Sequence, residues 1–387
     1  LRDAQRASTI RATNDAERTH FRENTMSLRR ALLALLFGCC AASGAAAQEP
    51  PALQGASAQE KARVAALIDG AKKEGALTYW DVVIQPETND ALTAAFRKRY
   101  GLPNSFQVNY QLSATAGLVT RVEQEINANR VTIDVAAVGS PPWVFERAAA
   151  GDALDYDSPE YKYFADAFKR GLGKPGVFAF NGAYLFVPMW STDQLKFDGK
   201  SWKDVVNAVP PGRMSVGDVA KSVAYLATYA GQREVLNSDY FKSIAKMKPS
   251  FLIRSEQIAG RLVTGEDLMS FSGMPTRAYQ YNQKGGKLKF IFPTEGSVLL
   301  PQSMFILKKA PHPNAAKLWI DFILSEEGQT ILVKGEAMVS GRSGFKSPLP
   351  EYAPAIDSLN LVNVDWQALS ADKLKMLREE WTSVFNP

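Results

Sequence analysis

Cysteine is nearly missing from this chain: the 387 residues hold two, adjacent at Cys39 and Cys40. Both fall in a segment expected to be removed, so the rest is expected to have no thiol nucleophile, thiolate metal site or disulfide. Histidine is as scarce, with His20 and His312 alone. His312 sits in a Pro-His-Pro turn, which reads as structural. The commonest nucleophile and the commonest base are therefore missing. There is no G-x-S-x-G elbow, H-E-x-x-H helix or Walker lysine loop. Catalysis is not expected. A secreted hydrolase using carboxylates, for which Asp81 and Glu87 are a candidate pair, stays as an alternative. Charge of one sign is also lacking. Lys+Arg is 45 against Asp+Glu 40, and residues 1–47 hold seven of the former and four of the latter, leaving an excess of two. With no basic run, no nucleic-acid partner is expected. At 46% hydrophobic and 22% charged, the chain is globular, not disordered or collagen-like.

No apolar run is long enough to span about 30 Å of hydrocarbon. The nearest, residues 26–47, has the grammar of an export signal: Met26, Arg29 and Arg30, an apolar stretch from Ala31 to Ala42, then Ala45-Ala46-Ala47. Cleavage is expected before Gln48, with export to the periplasm. Leu36-Phe37-Gly38-Cys39 partly matches a lipid-attachment motif, so a form anchored through Cys39 is the lesser alternative. Residues 1–25 read as an upstream extension from a mis-called start. Residues 48–57, rich in Pro, Ala, Gln and Ser, read as a flexible leader.

Beyond the leader, helix and strand signals alternate. Val64, Leu67, Ile68 and Ala71 share one face of a helix over 58–74, which Gly75 ends. Strands are expected at 76–80, 106–110 and 132–138, with helices at 89–100 and 117–128 between them. That order predicts a parallel sheet of α/β type. Further strands are expected within 177–190 and at 213–216, 250–253, 267–271, 290–294 and 303–307. A strong helix over 314–324 and a terminal amphipathic helix over 366–385 follow.

Several stretches coincide with a known family: Phe96-Arg-Lys-Arg-Tyr100-Gly, Arg121-Val-Glu-Gln-Glu, Ser201-Trp202-Lys203-Asp204 and Phe292-Pro293-Thr294-Glu295-Gly296. The most specific runs from Ala310-Pro-His-Pro-Asn to Trp319 and on to Ser325-Glu326-Glu327-Gly328-Gln329. Over about 58–385 the chain resembles the periplasmic solute-binding proteins of ABC importers, in the branch with ferric-ion, polyamine and phosphonate binders. The resemblance implies an α/β, two-lobed periplasmic-binding-protein fold, each lobe a sheet flanked by helices, with the ligand cleft between them. Lobe 1 is then 58–188 with 293–345, and lobe 2 is 189–292 with 346–387. It implies a monomer that closes on a small-molecule ligand like a hinge, without a cofactor. It also implies delivery to an inner-membrane ABC permease and its ATPase subunit.

Ligands of open α/β sheets sit at the carboxyl ends of strands, where helix N-termini favour anions. The loops there supply the candidates Trp80, Asp81, Ser113, Thr115, Ser140, Ser222 and Ser272, with Arg277 and Tyr279 on the following helix. Ser113 and Thr115 suit either a helix cap or a ligand contact, and Ser140 has the same two readings. Trp80 and Trp143 suit stacking or core packing. Arg277 is placed to clamp an anion, whereas Arg121 reads as a surface partner of Glu125. Ser222 resembles a ligand-contacting position of the family, although Val219 stands where its members often have Pro. This set favours a small organic anion. Ferric iron is the alternative, but Tyr279 and Tyr281 lie about 200° apart on a helix and no histidine stands beside Trp80. A polyamine would draw on Asp81, Asp218 and Glu295.

Overall fold

The computed structural model describes residues 49–385. The expected extension, signal segment and Cys39 lie outside the described residues. In place of a leader without structure, Pro51–Leu53 forms a 3-10 turn whose Ala52 and Leu53 pack against the core.

Helix α1 (Ala58–Glu74) starts where the Ser57 hydroxyl accepts the Glu60 N–H. It stops at Gly75, which takes the left-handed conformation at φ 73°. The face it buries is the one its period implied: Val64, Leu67, Ile68 and Ala71. Strand β1 (Ala76–Asp81) leads to α2 (Pro86–Tyr100), which begins earlier than expected because Pro86 fits the first helical turn. Then come β2 (Gln107–Leu112), α3 (Thr115–Asn127), β3 (Val135–Val138), α4 (Pro141–Ala149) and α5 (Ala165–Lys169).

Strand β4 (Phe178–Ser191) is a single run of 14 residues, every one buried. After it come β5 (Met214–Gly217), α6 (Val223–Gln232), α7 (Ser238–Lys246), β6 (Ser250–Leu252) and α8 (Ser255–Thr264). These are followed by β7 (Met269–Gly273), α9 (Pro275–Asn282), β8 (Leu288–Phe290) and β9 (Val298–Ile306). Helices α10 (Pro313–Leu324), α11 (Glu326–Glu336) and α12 (Ala371–Phe385) complete the chain. Helix α11 was legible in the sequence only as a motif. The Ser325 hydroxyl caps it by accepting the Gly328 N–H. Trp366, expected in the terminal helix, is instead buried ahead of it.

The strand order is β2-β1-β3-β9-β4-β7-β5-β6, with β8 also paired to β4. β1 is parallel to β2 and β3, and β5 is parallel to β6 and β7. The expectation of a parallel sheet holds only in these outer parts, since β4 and β9 run antiparallel to their neighbours. β4 also changes partner: Phe178 to Phe186 pair with β9, whereas Val187 to Ser191 pair with β7 and β8. One strand thus belongs to both halves of the fold. Around the first half, α10 packs Trp319 onto Tyr79 and Phe96, with ring centroids 5.3 and 5.0 Å apart. Around the second, α12 packs Trp381 onto Tyr229 at 5.1 Å.

Candidate functional site

The carboxyl ends of β1, β2 and β3 meet those of β5, β6 and β7 across a cleft of about 410 Å³. One wall carries Val82, Val83, Gln85, Leu112, Ser113 to Ala116 and Gly139; the other carries Lys221 to Tyr225, Ile253 to Glu256, Met274 and Arg277. Tyr184 and Phe186 from β4 and Leu300 from β9 form the floor, so the shared strands lie under the junction. The sequence reading missed Gln85, Tyr184, Phe186, Tyr225, Arg254, Ser255 and Glu256. Those on β4 carried no loop signal, because a strand that crosses between halves looks like any buried strand.

Four of the nine expected site residues line this cleft: Ser113, Thr115, Ser222 and Arg277. Ser113 does not cap α3. Its hydroxyl donates to the Ala114 carbonyl at 3.3 Å, and the α3 N-cap, Ala114, brings no side-chain acceptor. Ser222 does cap α6, accepting the Tyr225 N–H at 3.4 Å. Helices α8 and α9 start at Arg254 and Met274 with no side-chain cap. Three helices thus present N-termini without side-chain caps to one cavity, each with a favourable dipole for negative charge; α3 and α8 add free N–H groups, whereas at α9 Pro275 has none and the Arg277 N–H donates to the Met274 carbonyl at 2.9 Å.

The other five do not line it. Asp81 is wholly buried and turned inward. One oxygen accepts the Val83 and Ile84 N–H groups at 2.7 and 2.9 Å; the other accepts Tyr79 Oη, Asn181 Nδ2 and Gln302 Nε2 at 2.5, 3.1 and 2.5 Å. It ties the end of β1 to β4 and β9. Ser140 is buried at the N-cap of α4, and Gly139 takes its place on the wall. Ser272 is buried within β7, its N–H donating to Ser270 Oγ at 3.0 Å. Trp80 packs with the cluster under α3, its ring 6.0 Å from the Arg121 guanidinium. The Tyr279 hydroxyl donates to the Lys334 carbonyl at 2.8 Å, whereas the Tyr281 hydroxyl donates to the Glu256 carbonyl at 3.1 Å. The two phenols point to different partners, as their spacing implied. Trp143 donates its indole N–H to Glu123, and His312 is held by Asp134, through its backbone N–H at 2.6 Å and Nδ1 at 2.8 Å. Arg121 pairs with Glu125 at 2.7 Å, as expected.

Arg277 is the buried cation of the cleft, only 4% exposed. Its Nε donates to Ser255 Oγ at 3.0 Å, Nη1 to Gln280 Oε1 at 2.6 Å, and Nη2 pairs with Glu256 Oε1 at 2.6 Å. A guanidinium has five N–H donors, so one on each terminal nitrogen is left over from these contacts. Lys221 and Arg254 are exposed at the rim, giving three cations against the single lining carboxylate of Glu256. Asp218 is not on the wall; it pairs with Lys221 at 3.3 Å. Tyr184 on the floor and Tyr225 on the second wall have buried hydroxyls without a partner among the described residues, and burial pushes both phenol pKa values up. Both stay neutral donors.

A two-part α/β body with a ligand-sized cleft over shared strands defines a binding protein of the two-lobed class. The chain belongs to the bacterial extracellular solute-binding protein family, whose model matches residues 91–355. Its fold is similar to a substrate-binding protein of an ABC transporter from Agrobacterium tumefaciens, at TM-score 0.70 and 15% identity over 80% of this chain and 94% of that one. It is similar to the periplasmic binding protein AfuA from Actinobacillus pleuropneumoniae, with fructose-6-phosphate bound, at TM-score 0.67 and 18% identity over 80% and 98%. Iron-bound HitA from Pseudomonas aeruginosa matches at TM-score 0.63 and 19% identity over 80% and 99%. At these identities the structures establish the fold alone. Members of this family are binding proteins, not enzymes. Among the described residues no helix is long and apolar enough to cross a membrane.

Proposed function

We propose that this protein is a periplasmic receptor that captures a small organic anion in the cleft and hands it to an inner-membrane ABC permease with its ATPase subunit. The observation that carries the anion is the convergence of the uncapped N-termini of α3, α8 and α9 on one cavity, beside buried Arg277. Helix N-termini and a guanidinium stabilise carboxylate or phosphate groups by the same electrostatics. The apolar part of the lining, with Val82, Leu112, Phe186, Met274 and Leu300, suits a ligand with a carbon body behind its charged head. The neighbour solved with a sugar phosphate is consistent with this chemistry. Hinge closure would pivot on β4 where it changes partner at Val187, supporting lobes of 58–188 with 293–345 and 189–292 with 346–387. Of the nine residues first considered, Ser113, Thr115, Ser222 and Arg277 are assigned to the ligand.

The test is native mass spectrometry of the protein as purified, followed by denaturing release and calorimetric titration of what is released. An organic acid or phosphate ester that rebinds supports the reading. A bound amine or iron ion overturns it.

A further inference from the structure

Behind the cleft lies a buried carboxylate with no place in the ligand wall. Glu336, the last residue of α11, is wholly buried. Helix α11 approaches α2 closely there: a Cβ on Gly335 would lie 2.4 Å from Thr88 Oγ1, so only glycine lets the two elements meet. Glu336 Oε1 accepts the backbone N–H of Gln85, a residue of the first cleft wall, at 2.6 Å. Its Oε2 accepts Gln280 Nε2 at 3.0 Å, and Gln280 Oε1 accepts Arg277 Nη1 at 2.6 Å, on the opposite wall.

The chemistry of this chain fixes its direction. A carboxylate offers only acceptors and a guanidinium only donors, so the amide between them has one workable orientation. We propose that ionised Glu336 is a positioning residue, which acts through Gln280 to hold the Arg277 guanidinium at the cleft and through Gln85 to tie the facing wall to it. Its role rests on the reading that Arg277 meets an anion.

Protonation would weaken the arrangement. A neutral Glu336 must donate one of its bonds. Gln85 N–H cannot accept it; either the Thr88 hydroxyl oxygen does, which leaves Gln280 facing a neutral and weaker acceptor, or Gln280 turns its oxygen toward Glu336 and its NH2 toward Arg277, donor against cation. Anion affinity should therefore rise with pH as Glu336 ionises. Burial, the largest influence, raises the Glu336 pKa above the ordinary glutamate range; the Thr88 hydroxyl, Gln85 N–H and Arg277 lower it, and Asp81 raises it. Tyr110 from β2 and Tyr184 from β4 also face it and stay neutral, burial raising both. Asp81 is the second acidic group in this set.

The experiment uses the full chain, isotope-labelled at glutamate carboxyls and arginine Nε, followed by NMR between about pH 4 and pH 8. The Glu336→Gln and Arg277→Lys variants assign the two signals. The Arg277 Nε–H signal is expected to titrate with the midpoint of the Glu336 carboxyl and to lose that titration in Glu336→Gln. An Arg277 signal that stays flat, or that titrates unchanged in Glu336→Gln, overturns the proposal. If Glu336→Gln does not fold, Gln280→Leu must uncouple the two signals instead. A second arm titrates inorganic sulfate, whose charge is constant over this range. Wild-type affinity should fall about tenfold on protonation of Glu336, and Glu336→Gln should bind about tenfold more weakly without pH dependence. Sulfate binding that ignores Glu336 overturns the positioning role. No sulfate binding by wild type at any pH counts against the anion cleft itself, while the NMR arm still decides the relay.

Discussion

Asp81 separates structural from ligand roles most sharply. Replacing it with Ala strips the acceptor from five donors at once. Two of these, the N–H groups of Val83 and Ile84, belong to a buried turn. Each buried N–H left unpaired costs about 1–3 kcal/mol, so Asp81→Ala should lose about 3–5 kcal/mol of folding stability. Asp81→Asn is different. Its amide oxygen can keep both backbone N–H groups, leaving an NH2 to face Asn181 and Gln302. Those two side chains have amide oxygens, Oδ1 and Oε1, without partners among the described residues, so turning either converts a clash into a hydrogen bond. The expected loss is about 1 kcal/mol. Urea unfolding of the three proteins under one common slope measures both numbers. Neither variant, where folded, should change ligand affinity by as much as threefold, about 0.7 kcal/mol. Equal losses for Asn and Ala would refute the proposed satisfaction of the network. A stable Asp81→Asn protein that no longer binds would put the carboxylate in the ligand site after all.

Arg277→Met, which keeps the volume and removes the charge, should weaken an anionic ligand more than tenfold by calorimetry; unchanged affinity would remove the clamp from the account. Ser222→Ala deletes the side-chain cap of α6 and should cost about 1 kcal/mol in urea unfolding. At Glu125 burial opposes the charge, but the Thr132 hydroxyl, the Thr132 and Ile133 N–H groups and Arg121 together hold its pKa below the ordinary glutamate value. A depressed carboxyl pKa stabilises the fold above the unfolded-state pKa, and that contribution is lost as pH falls through the folded one. Glu125→Gln should therefore flatten part of the acid limb of stability below about pH 5 and leave its shape at neutral pH unchanged.

Much of this protein was written in local sequence. The α1 face, the Gly75 stop, the Pro-His-Pro entry to α10 and the order of strands and helices follow from period, caps and turn residues, which act over a few positions. The same local logic put Ser113, Thr115, Ser222 and Arg277 at strand ends facing a ligand-sized space. It could not tell them from Asp81, Ser140 and Ser272, which share their residue types and loop positions. The difference is rotation of a side chain toward β4 and β9, and that depends on strands about 100 to 220 residues away. Tyr184 and Phe186 were hidden for the converse reason: they reach the cleft only because β4 leaves one sheet for another at Val187. The antiparallel course of β4 and β9 and the Gln85–Glu336–Gln280–Arg277 chain have no local signature either. Sequence alone determined most of the elements, the class of fold and the family resemblance, because propensity and patterning act locally. Only tertiary structure decided which polar side chains meet a ligand and which satisfy the core, because a buried donor or acceptor is settled by whatever group the fold brings opposite it.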